Sequence, residues 1–241
     1  MGDAMMTPPA LVVALDFPQA APALDLAARL RGVVPWVKVG LELYLCAGQD
    51  LLTRLKDMGF LVFLDLKFMD IPNTVQGAAA QATRMGADML TIHALGGRAM
   101  CEAAMTGRDM ALAPGQAPPL VLGVTLLTSL GPGDLAWNPD GSAEDLGALT
   151  VHLARSAQNW KLDGVVCSGR EVRVIRETCG ASFQLLTPGI RLPDADAGDQ
   201  SRICTPAQAA RDGSNFLVVG RPITRADNPV QAARMYLGAT E

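Results

Sequence analysis

Short apolar runs recur along the chain, and most of them are separated by amphipathic, alanine-rich stretches. Short β-branched or leucine-rich runs are typical of buried strands, whereas apolar residues spaced three and four apart are typical of helices. The pattern predicts strands at 11–15, 36–39, 61–66, 89–93, 120–125, 164–167, 184–186 and 216–219. It predicts helices at 22–30, 50–58, 74–85, 143–160 and 170–178.

Eight strands alternating with helices indicate an α/β protein of the (β/α)8 TIM barrel class, which typically has about 250 residues. The alternative is a doubly wound open sheet, which usually has fewer strands and a glycine-rich turn after the first. Here the first strand is followed by Asp16-Phe17-Pro18, which is no such turn. The sequence therefore predicts a single barrel domain over residues 1–241.

Two turn-rich segments interrupt the alternation of strands and helices. Residues 130–142 follow the fifth predicted strand, and residues 191–204 follow the seventh. Long loops at the carboxyl ends of barrel strands carry binding contacts in many enzymes. We expect both segments to border a functional site.

The charge balance excludes several kinds of partner. The net charge is −4, and no basic stripe is present that could neutralise a nucleic-acid backbone. No apolar run approaches the roughly 18 residues that a membrane-spanning helix needs. The first residues also lack the positive charge and long apolar stretch of a signal peptide. These features predict a cytoplasmic protein that binds neither nucleic acid nor membrane.

The cysteines and histidines limit the metal chemistry that the chain can perform. The five cysteines are scattered and form no C-x-x-C motif, which agrees with a reducing compartment. Only His93 and His152 could supply imidazole ligands, so a zinc site is not expected. Any metal would have to be held by carboxylates, and we predict none.

The third predicted strand contains charged residues on one face only. Because side chains alternate along a strand, Leu61, Phe63, Asp65 and Lys67 share a face. The opposite face is uniformly apolar and suits contact with the surrounding helices. Asp65 and Lys67 are therefore predicted to point inward at the top of the barrel.

Two other predicted strands end on charged residues. Asp16 follows the first strand and Lys38 lies in the second, so Asp16, Lys38, Asp65 and Lys67 should cluster at the face where barrel enzymes place their active sites. Structural salt bridges are the alternative interpretation. Burying alternating charges usually costs more in desolvation than pairing returns, which favours a functional site.

The predicted cluster suggests a particular chemistry. Flanking carboxylates favour the ammonium form of the lysines, whereas a Schiff base needs the free amine. A lysine held in the ammonium form is suited to stabilising a carbanion and donating a proton to it.

The run Asp65–Thr74, DLKFMDIPNT, resembles the D-x-K-x-x-D-I-P-N-T signature of the orotidine 5′-phosphate decarboxylase family. The similarity extends over nearly the whole chain, at 15–16, 38–40, 127–129, 187–191, 199–200 and 219–224. The resemblance implies a homodimeric barrel that converts orotidine 5′-phosphate to UMP and CO2 without a metal or organic cofactor. This reaction is the last step of de novo pyrimidine synthesis.

The resemblance also implies roles for the catalytic residues. Lys67 would donate a proton to C6 of the pyrimidine, and Asp65 would lie near the departing carboxylate. Lys38 would hold the charged network and the ribose, and Asp16 would bind the ribose. Catalytic Asp70 would come from the partner chain.

Further binding residues follow from the same resemblance. Ile71 and Thr74 would reach across the dimer interface together with Asp70. Thr128 and Ser129 match the region that contacts the pyrimidine, and Thr128 is favoured. The remaining binding residues would be Pro188, Arg191, Gln200, Gly220 and Arg221. Gly220 and Arg221 also follow the eighth strand, the usual phosphate position of a barrel, where backbone N–H groups and an arginine suit a dianion.

Four positions stand apart from this interpretation. Met69 lies where many relatives carry histidine, and Asn215 lies where an acidic residue is common. His93 ends the fourth strand and either lines the site or forms a hydrogen bond in the barrel wall. His152, on a predicted helix, is expected to be structural.

Two other functions compete with decarboxylation of a nucleotide. A magnesium-dependent sugar-phosphate decarboxylase or aldolase of the same superfamily would share Asp65, Lys67 and Asp70, but Lys38 is unfavourable beside a metal. A non-catalytic nucleotide-binding barrel would keep the pocket without turnover, although the intact charged set argues against it.

Overall fold

Eight parallel strands form the centre of the computed structural model, which describes residues 8–135, 140–193 and 204–240. Each strand pairs with the next, and the first also pairs with the last, which closes the barrel. The strands are β1 (Ala10–Ala14), β2 (Trp36–Gly40), β3 (Leu61–Phe68), β4 (Met89–His93), β5 (Leu120–Val124), β6 (Gly164–Val166), β7 (Gln184–Thr187) and β8 (Phe216–Val219). The predicted (β/α)8 class is confirmed.

Helices surround the barrel and connect most of its strands. Within the described ranges they are α1 (Ala20–Leu30), α2 (Leu41–Asp57), α3 (Pro72–Arg84), α4 (Gly97–Met110), α5 (Ala143–Asn159), α6 (Val172–Cys179), α7 (Pro206–Asp212), α8 (Arg221–Thr224) and α9 (Pro229–Gly238). A short 3₁₀ turn at Ala94–Gly96 precedes α4. No helix in this described part of the chain is long and apolar enough to cross a membrane.

The alternation of side chains along the strands produces two apolar layers. Val12, Phe63, Met89 and Leu122 are among the buried residues that fill the barrel interior. Side chains of the opposite parity, such as Leu64, pack against the helices in a larger outer core. At the lower end, where the strands begin, Trp36 and Phe216 meet edge to face with ring centroids 5.5 Å apart.

The sequence pattern located the strands to within two residues but missed part of the helical layer. Helix α2 begins at Leu41, well before the predicted start at residue 50, and it is interrupted at Gly48, where φ is 57°. The exposed leucines of its first turns, Leu41 and Leu45, broke the expected amphipathic pattern. Helices α4, α7, α8 and α9 were not predicted.

The described ends of the two turn-rich segments lie at the upper end of the barrel, where the strands finish. In the first, Ser142 and Asp145 form a reciprocal capping box that starts α5, while 136–139 lie outside the described residues. In the second, a β-bridge between Ile190 and Cys204 joins the two ends of the segment, and 194–203 are not described.

Candidate active site

A cavity of about 700 Å³ opens at the upper end of the barrel. Residues in or just after every strand except β4 contribute to its lining. The four charged residues predicted to cluster all line it: Asp16, Lys38, Asp65 and Lys67. The sequence-based placement of these side chains therefore agrees with the structure.

The four charged side chains form one continuous network. The Nζ atom of Lys67 lies 2.8 Å from Oδ2 of Asp65, and the Nζ atom of Lys38 lies 3.7 Å from the same oxygen. Lys38 also donates a hydrogen bond to Oδ1 of Asp16 at 2.9 Å. Two ammonium groups thus share one carboxylate oxygen, with a second carboxylate beyond Lys38.

Asp65 is the centre of this network, and its environment keeps it ionised. Burial alone would raise its pKa, because a buried carboxylate loses hydration. Burial is the largest single effect, but the charges of Lys38 and Lys67 and the hydrogen bonds from Lys67 and Thr91 together outweigh it, so the pKa of Asp65 lies below its ordinary value.

Lys67 reaches the network through an unusual backbone conformation. Its φ is +51°, in the left-handed region that costs a residue with a side chain roughly 1 kcal/mol or more. The register between β3 and β4 shifts between Leu64 and Phe68, as in a β-bulge. Such local strain is typical of positions where a functional side chain must be aimed.

Thr91, which was not predicted from the sequence, holds both Asp65 and the backbone of Lys67 in this irregular region. Its hydroxyl donates to Oδ1 of Asp65 at 2.9 Å and accepts from the backbone N–H of Lys67 at 3.0 Å. Strand alternation on β4 places Thr91 on the inward face, which was the available signal.

Gly40 provides the space that Lys38 needs. A Cβ atom at this position would lie 3.0 Å from Nζ of Lys38, closer than an ordinary contact. The lysine itself is only 7% exposed, so its ammonium group has little room to move away. The glycine that ends β2 therefore allows the buried Lys38 to form its ion pair with the exposed Asp16.

Arginines line another part of the cavity, after β7 and β8. Arg191 is buried, and its Nη1 donates to the carbonyl oxygen of Ile190 at 2.9 Å. Gly220, Arg221 and Arg225 line the cavity after β8, and Arg225 was not predicted. A Cβ at Gly220 would lie 3.6 Å from Oδ2 of Asp16, so this part of the site adjoins the charged network.

Some of the predicted binding residues line the cavity of the single chain, and others do not. Thr128 and Pro188 line the cavity, whereas Ser129 does not. Asp70, Ile71 and Thr74 are exposed and do not line it either. Gln200 lies outside the described residues.

His93 fits neither of its two expected roles. It does not line the cavity, and its buried Nδ1 has no hydrogen-bond partner among the described residues. Burial lowers the pKa of His93, and the nearby charge of Lys67 lowers it further. These effects favour the neutral imidazole.

The acidic, histidine and cysteine side chains offer no metal site in the described part of the chain. Within 8–135, 140–193 and 204–240, no group of three or more His, Cys, Asp or Glu side chains is arranged to hold a metal ion. The carboxylates that line the cavity, Asp16 and Asp65, are instead paired with ammonium groups.

The fold and the cavity together define a (β/α)8-barrel enzyme whose site combines a lysine–aspartate network with a group of arginines. Residues 9–236 match the model of the "Orotidine 5′-phosphate decarboxylase / HUMPS family". The chain belongs to this family.

Individual relatives agree with this assignment. An orotidine 5′-phosphate decarboxylase of Maridesulfovibrio salexigens is 55% identical over 225 residues, which cover 93% of this chain and 95% of the relative. One from Nitratidesulfovibrio vulgaris is 54% identical, with 93% and 94% covered. The crystal structure of orotidine 5′-phosphate decarboxylase from Lactobacillus acidophilus matches with a TM-score of 0.85 and 35% identity, covering 97% of this chain and 99% of that one.

Proposed function

We propose that this protein converts orotidine 5′-phosphate to UMP and CO2. The observation that carries the proposal is the pair of ammonium groups, from Lys38 and Lys67, on one buried oxygen of Asp65. These ammonium groups lie in a cavity that arginines also line, and such a cavity suits a phosphorylated substrate. The names of the relatives, at 54–55% identity over nearly the whole chain, point to the same reaction.

In the proposed reaction the charged groups of the network act one after another. The substrate carboxylate lies near Asp65, where two negative charges repel each other. When the bond between C6 and the carboxyl carbon breaks, CO2 leaves and the electron pair stays on C6. The ammonium group of Lys67 stabilises that carbanion and then donates a proton to it. Asp65 and Lys38 position Lys67 and balance its charge.

The other residues hold the substrate at its two ends. We assign Asp16 and Lys38 to the ribose and Thr128 to the pyrimidine, with Ser129 and Pro188 beside it. Arg191, Gly220, Arg221 and Gln200 are assigned to the phosphate. Binding energy gained at the phosphate can assist chemistry at the distant ring, because it holds the ring against the network.

A second copy of the chain is part of the proposal. Asp70, Ile71 and Thr74 lie outside the cavity of their own chain, so a partner must supply them if they act on substrate. The surface near the cavity favours such an association, since Leu41, Leu45, Met69 and Ile71 are all more than half exposed.

The catalytic unit proposed here is the whole chain, residues 1–241, acting as a single domain. Residues at the ends of seven strands line the cavity, so no smaller part of the barrel contains the site. We place the reaction in the cytoplasm, since all five cysteines are free thiols, as expected in a reducing compartment.

The direct test follows the orotate ultraviolet absorption band in orotidine 5′-phosphate, with and without EDTA. We expect the wild-type protein to remove the band equally in both conditions, and Lys67→Ala to lose about 10³-fold or more of that turnover. Lys161→Ala, a lysine after α5 that does not line the cavity, is the matched control.

The remaining outcomes separate the competing functions. Turnover that EDTA abolishes would favour a magnesium-dependent sugar-phosphate enzyme. Binding of UMP with no product formed would favour a non-catalytic nucleotide-binding barrel. Full turnover by Lys67→Ala would overturn the proton-donor role.

The shared site has its own test. An Asp70→Ala variant and a Lys38→Ala variant should each be nearly inactive alone. After subunit exchange, a mixture should regain activity, because some hybrid sites contain neither substitution. Exchange demonstrated by a labelled subunit, with no gain in turnover, would contradict the partner role of Asp70.

A further inference from the structure

Arg225 lies at the rim of the cavity, one helical turn beyond Arg221. Its backbone N–H donates to the carbonyl oxygen of Arg221 at 3.0 Å, at the end of α8. The residue is exposed and contributes to the cavity lining together with Arg221 and Thr224. No role in binding was expected for it from the sequence.

The described lining of the cavity carries the opposite charge from the protein as a whole. Among the residues that the structure describes, two acidic and five basic side chains line the cavity, a net charge of +3, whereas the entire chain carries −4. The acidic side chains, Asp16 and Asp65, are engaged with lysines in the network. The arginines therefore provide a local positive potential for an approaching anion.

Arg225 differs from Arg191 in its access to solvent. Arg191 is 7% exposed and donates a hydrogen bond to the carbonyl oxygen of Ile190, so its charge is largely shielded from solvent. Arg225 is exposed, and none of the carboxylates that the structure describes lies within ion-pair distance of it. Its charge is thus available to the solvent at the cavity entrance.

We propose that Arg225 is an electrostatic entrance residue, which accelerates the association of phosphate-bearing ligands without taking part in the chemical step. The inference rests on the proposed function, since it assumes a phosphorylated substrate. A charge that acts through solvent over several ångströms raises the association rate at low salt and is screened at high salt. A direct phosphate ligand would keep its effect at high salt.

The test compares Arg225→Glu with Arg234→Glu. Both arginines are exposed, and both substitutions change the net charge equally, but Arg234 lies on α9 and does not line the cavity. For Arg225→Glu we expect kcat/KM for orotidine 5′-phosphate to fall by about tenfold at 10 mM ionic strength. The loss should shrink to about twofold or less near 0.5 M salt, with kcat unchanged throughout. Arg234→Glu should remain within about twofold of wild type.

A milder substitution at position 225 separates the loss of charge from a general disturbance of the fold. Arg225→Gln removes one charge instead of reversing it, so the loss at low salt should be about threefold. Thermal unfolding of all three variants checks that the fold is retained. If Arg225→Glu follows Arg234→Glu at every ionic strength, the entrance role is wrong; a loss of kcat that persists at high salt would also overturn it.

Failure of the proposed function can be distinguished from failure of this inference. The association rate constant of UMP, measured by stopped flow on the same variants, does not depend on turnover. A wild-type protein that binds UMP without catalysis still tests Arg225, with the same salt-dependent slowing expected. If UMP does not bind at all, the same measurement with ribose 5-phosphate decides the matter, and equal rates for both glutamate variants would refute the inference.

Discussion

Both ends of the barrel pair basic side chains with acceptor side chains, but the acceptors differ in what else they bind. At the lower end, residues directly before β4, β6 and β8 accept a hydrogen bond from a backbone N–H of the neighbouring strand and also bind a basic side chain. These residues are Asp88, Asp163 and Asn215, which accept from Val62, Val121 and Leu185 at 2.7, 2.7 and 2.8 Å. Their basic partners are Lys56, Arg108 and Arg176.

At the upper end, the charged groups mainly bind one another. Asp65 contacts two ammonium groups and the hydroxyl of Thr91, and none of its hydrogen bonds goes to a backbone N–H. The lower acceptors therefore complete the hydrogen bonding of the sheet directly. At the upper end the carboxylate of Asp65 binds side chains, and it is Thr91 that accepts from the backbone N–H of Lys67. Barrels place stability at the lower face and catalysis at the upper face, and the two sets of ion pairs follow that division.

The strongest test of this comparison exchanges one basic residue at each end for alanine. Arg108→Ala leaves the buried side of Asp163 without its cation, so we expect the free energy of unfolding to fall by about 3 kcal/mol. Lys67→Ala should change it by about 1 kcal/mol or less, because the lysine is partly exposed and Asp65 keeps Lys38. Urea denaturation measures both.

Turnover of the same two variants should show the opposite order. Lys67→Ala is expected to lose nearly all activity, and Arg108→Ala to keep wild-type activity per folded molecule, since Arg108 does not line the cavity. A large loss of turnover in folded Arg108→Ala, or a large loss of stability in Lys67→Ala, would remove the distinction between the two ends.

A smaller change in the free energy of unfolding is expected at the lower end, at the one of the three acceptor positions that is not an aspartate. Asn215 occupies the position that Asp88 and Asp163 hold elsewhere, and its Oδ1 accepts from Arg176 at 2.6 Å. Burial lowers the pKa of Arg176, so an adjacent carboxylate would favour its charged form. Asn215→Asp should raise the free energy of unfolding by about 1 kcal/mol, as a charge-assisted bond replaces a neutral one.

The control for this prediction is Asn215→Ala. It removes the acceptor of the Leu185 N–H, and it should lower the free energy of unfolding by about 1–2 kcal/mol. If Asn215→Asp is no more stable than wild type in urea denaturation, a carboxylate at position 215 adds no stability beside Arg176.

The smallest effect concerns His93 at the upper end. Its pKa in the folded protein is lowered, so between that value and the ordinary value near 6.5 the unfolded chain binds more protons than the folded one. Stability should therefore decrease as the pH falls below about 6.5, and His93→Asn should flatten this slope. Unfolding free energies between pH 7.5 and 5 measure it.

Lys67→Ala tests how much of the pH dependence of stability at His93 comes from the charge of Lys67. Burial is the larger cause of the lowered pKa and the Lys67 charge is the second, so removing the lysine should flatten the slope only in part. An unchanged slope in His93→Asn would mean that other groups control the acid dependence.

The sequence by itself determined the class of fold and the centre of the site. Strand periodicity is a local property, so eight apolar runs could be placed to within two residues, and Asp65 and Lys67 could be assigned to one face. The carboxyl ends of parallel strands meet at one edge, which brought Asp16 and Lys38 into the same cluster. The motif around Asp65 then identified the family.

The tertiary structure alone decided how the network is held. Thr91 bonds to Asp65 across two strands, the bulge in β3 gives Lys67 its positive φ, and Gly40 leaves room for Lys38. These features depend on the register between strands and on distances between residues far apart in sequence, which no local pattern encodes.

Tertiary structure also decided the position of Arg225 and the ion pairs of the lower end. Arg225 lines the cavity because it ends the short helix α8, which follows β8 directly, and the ion pairs of the lower end appear only when neighbouring strands are aligned. Local periodicity determines which face of an element is buried, but closing the barrel determines which charged side chains meet.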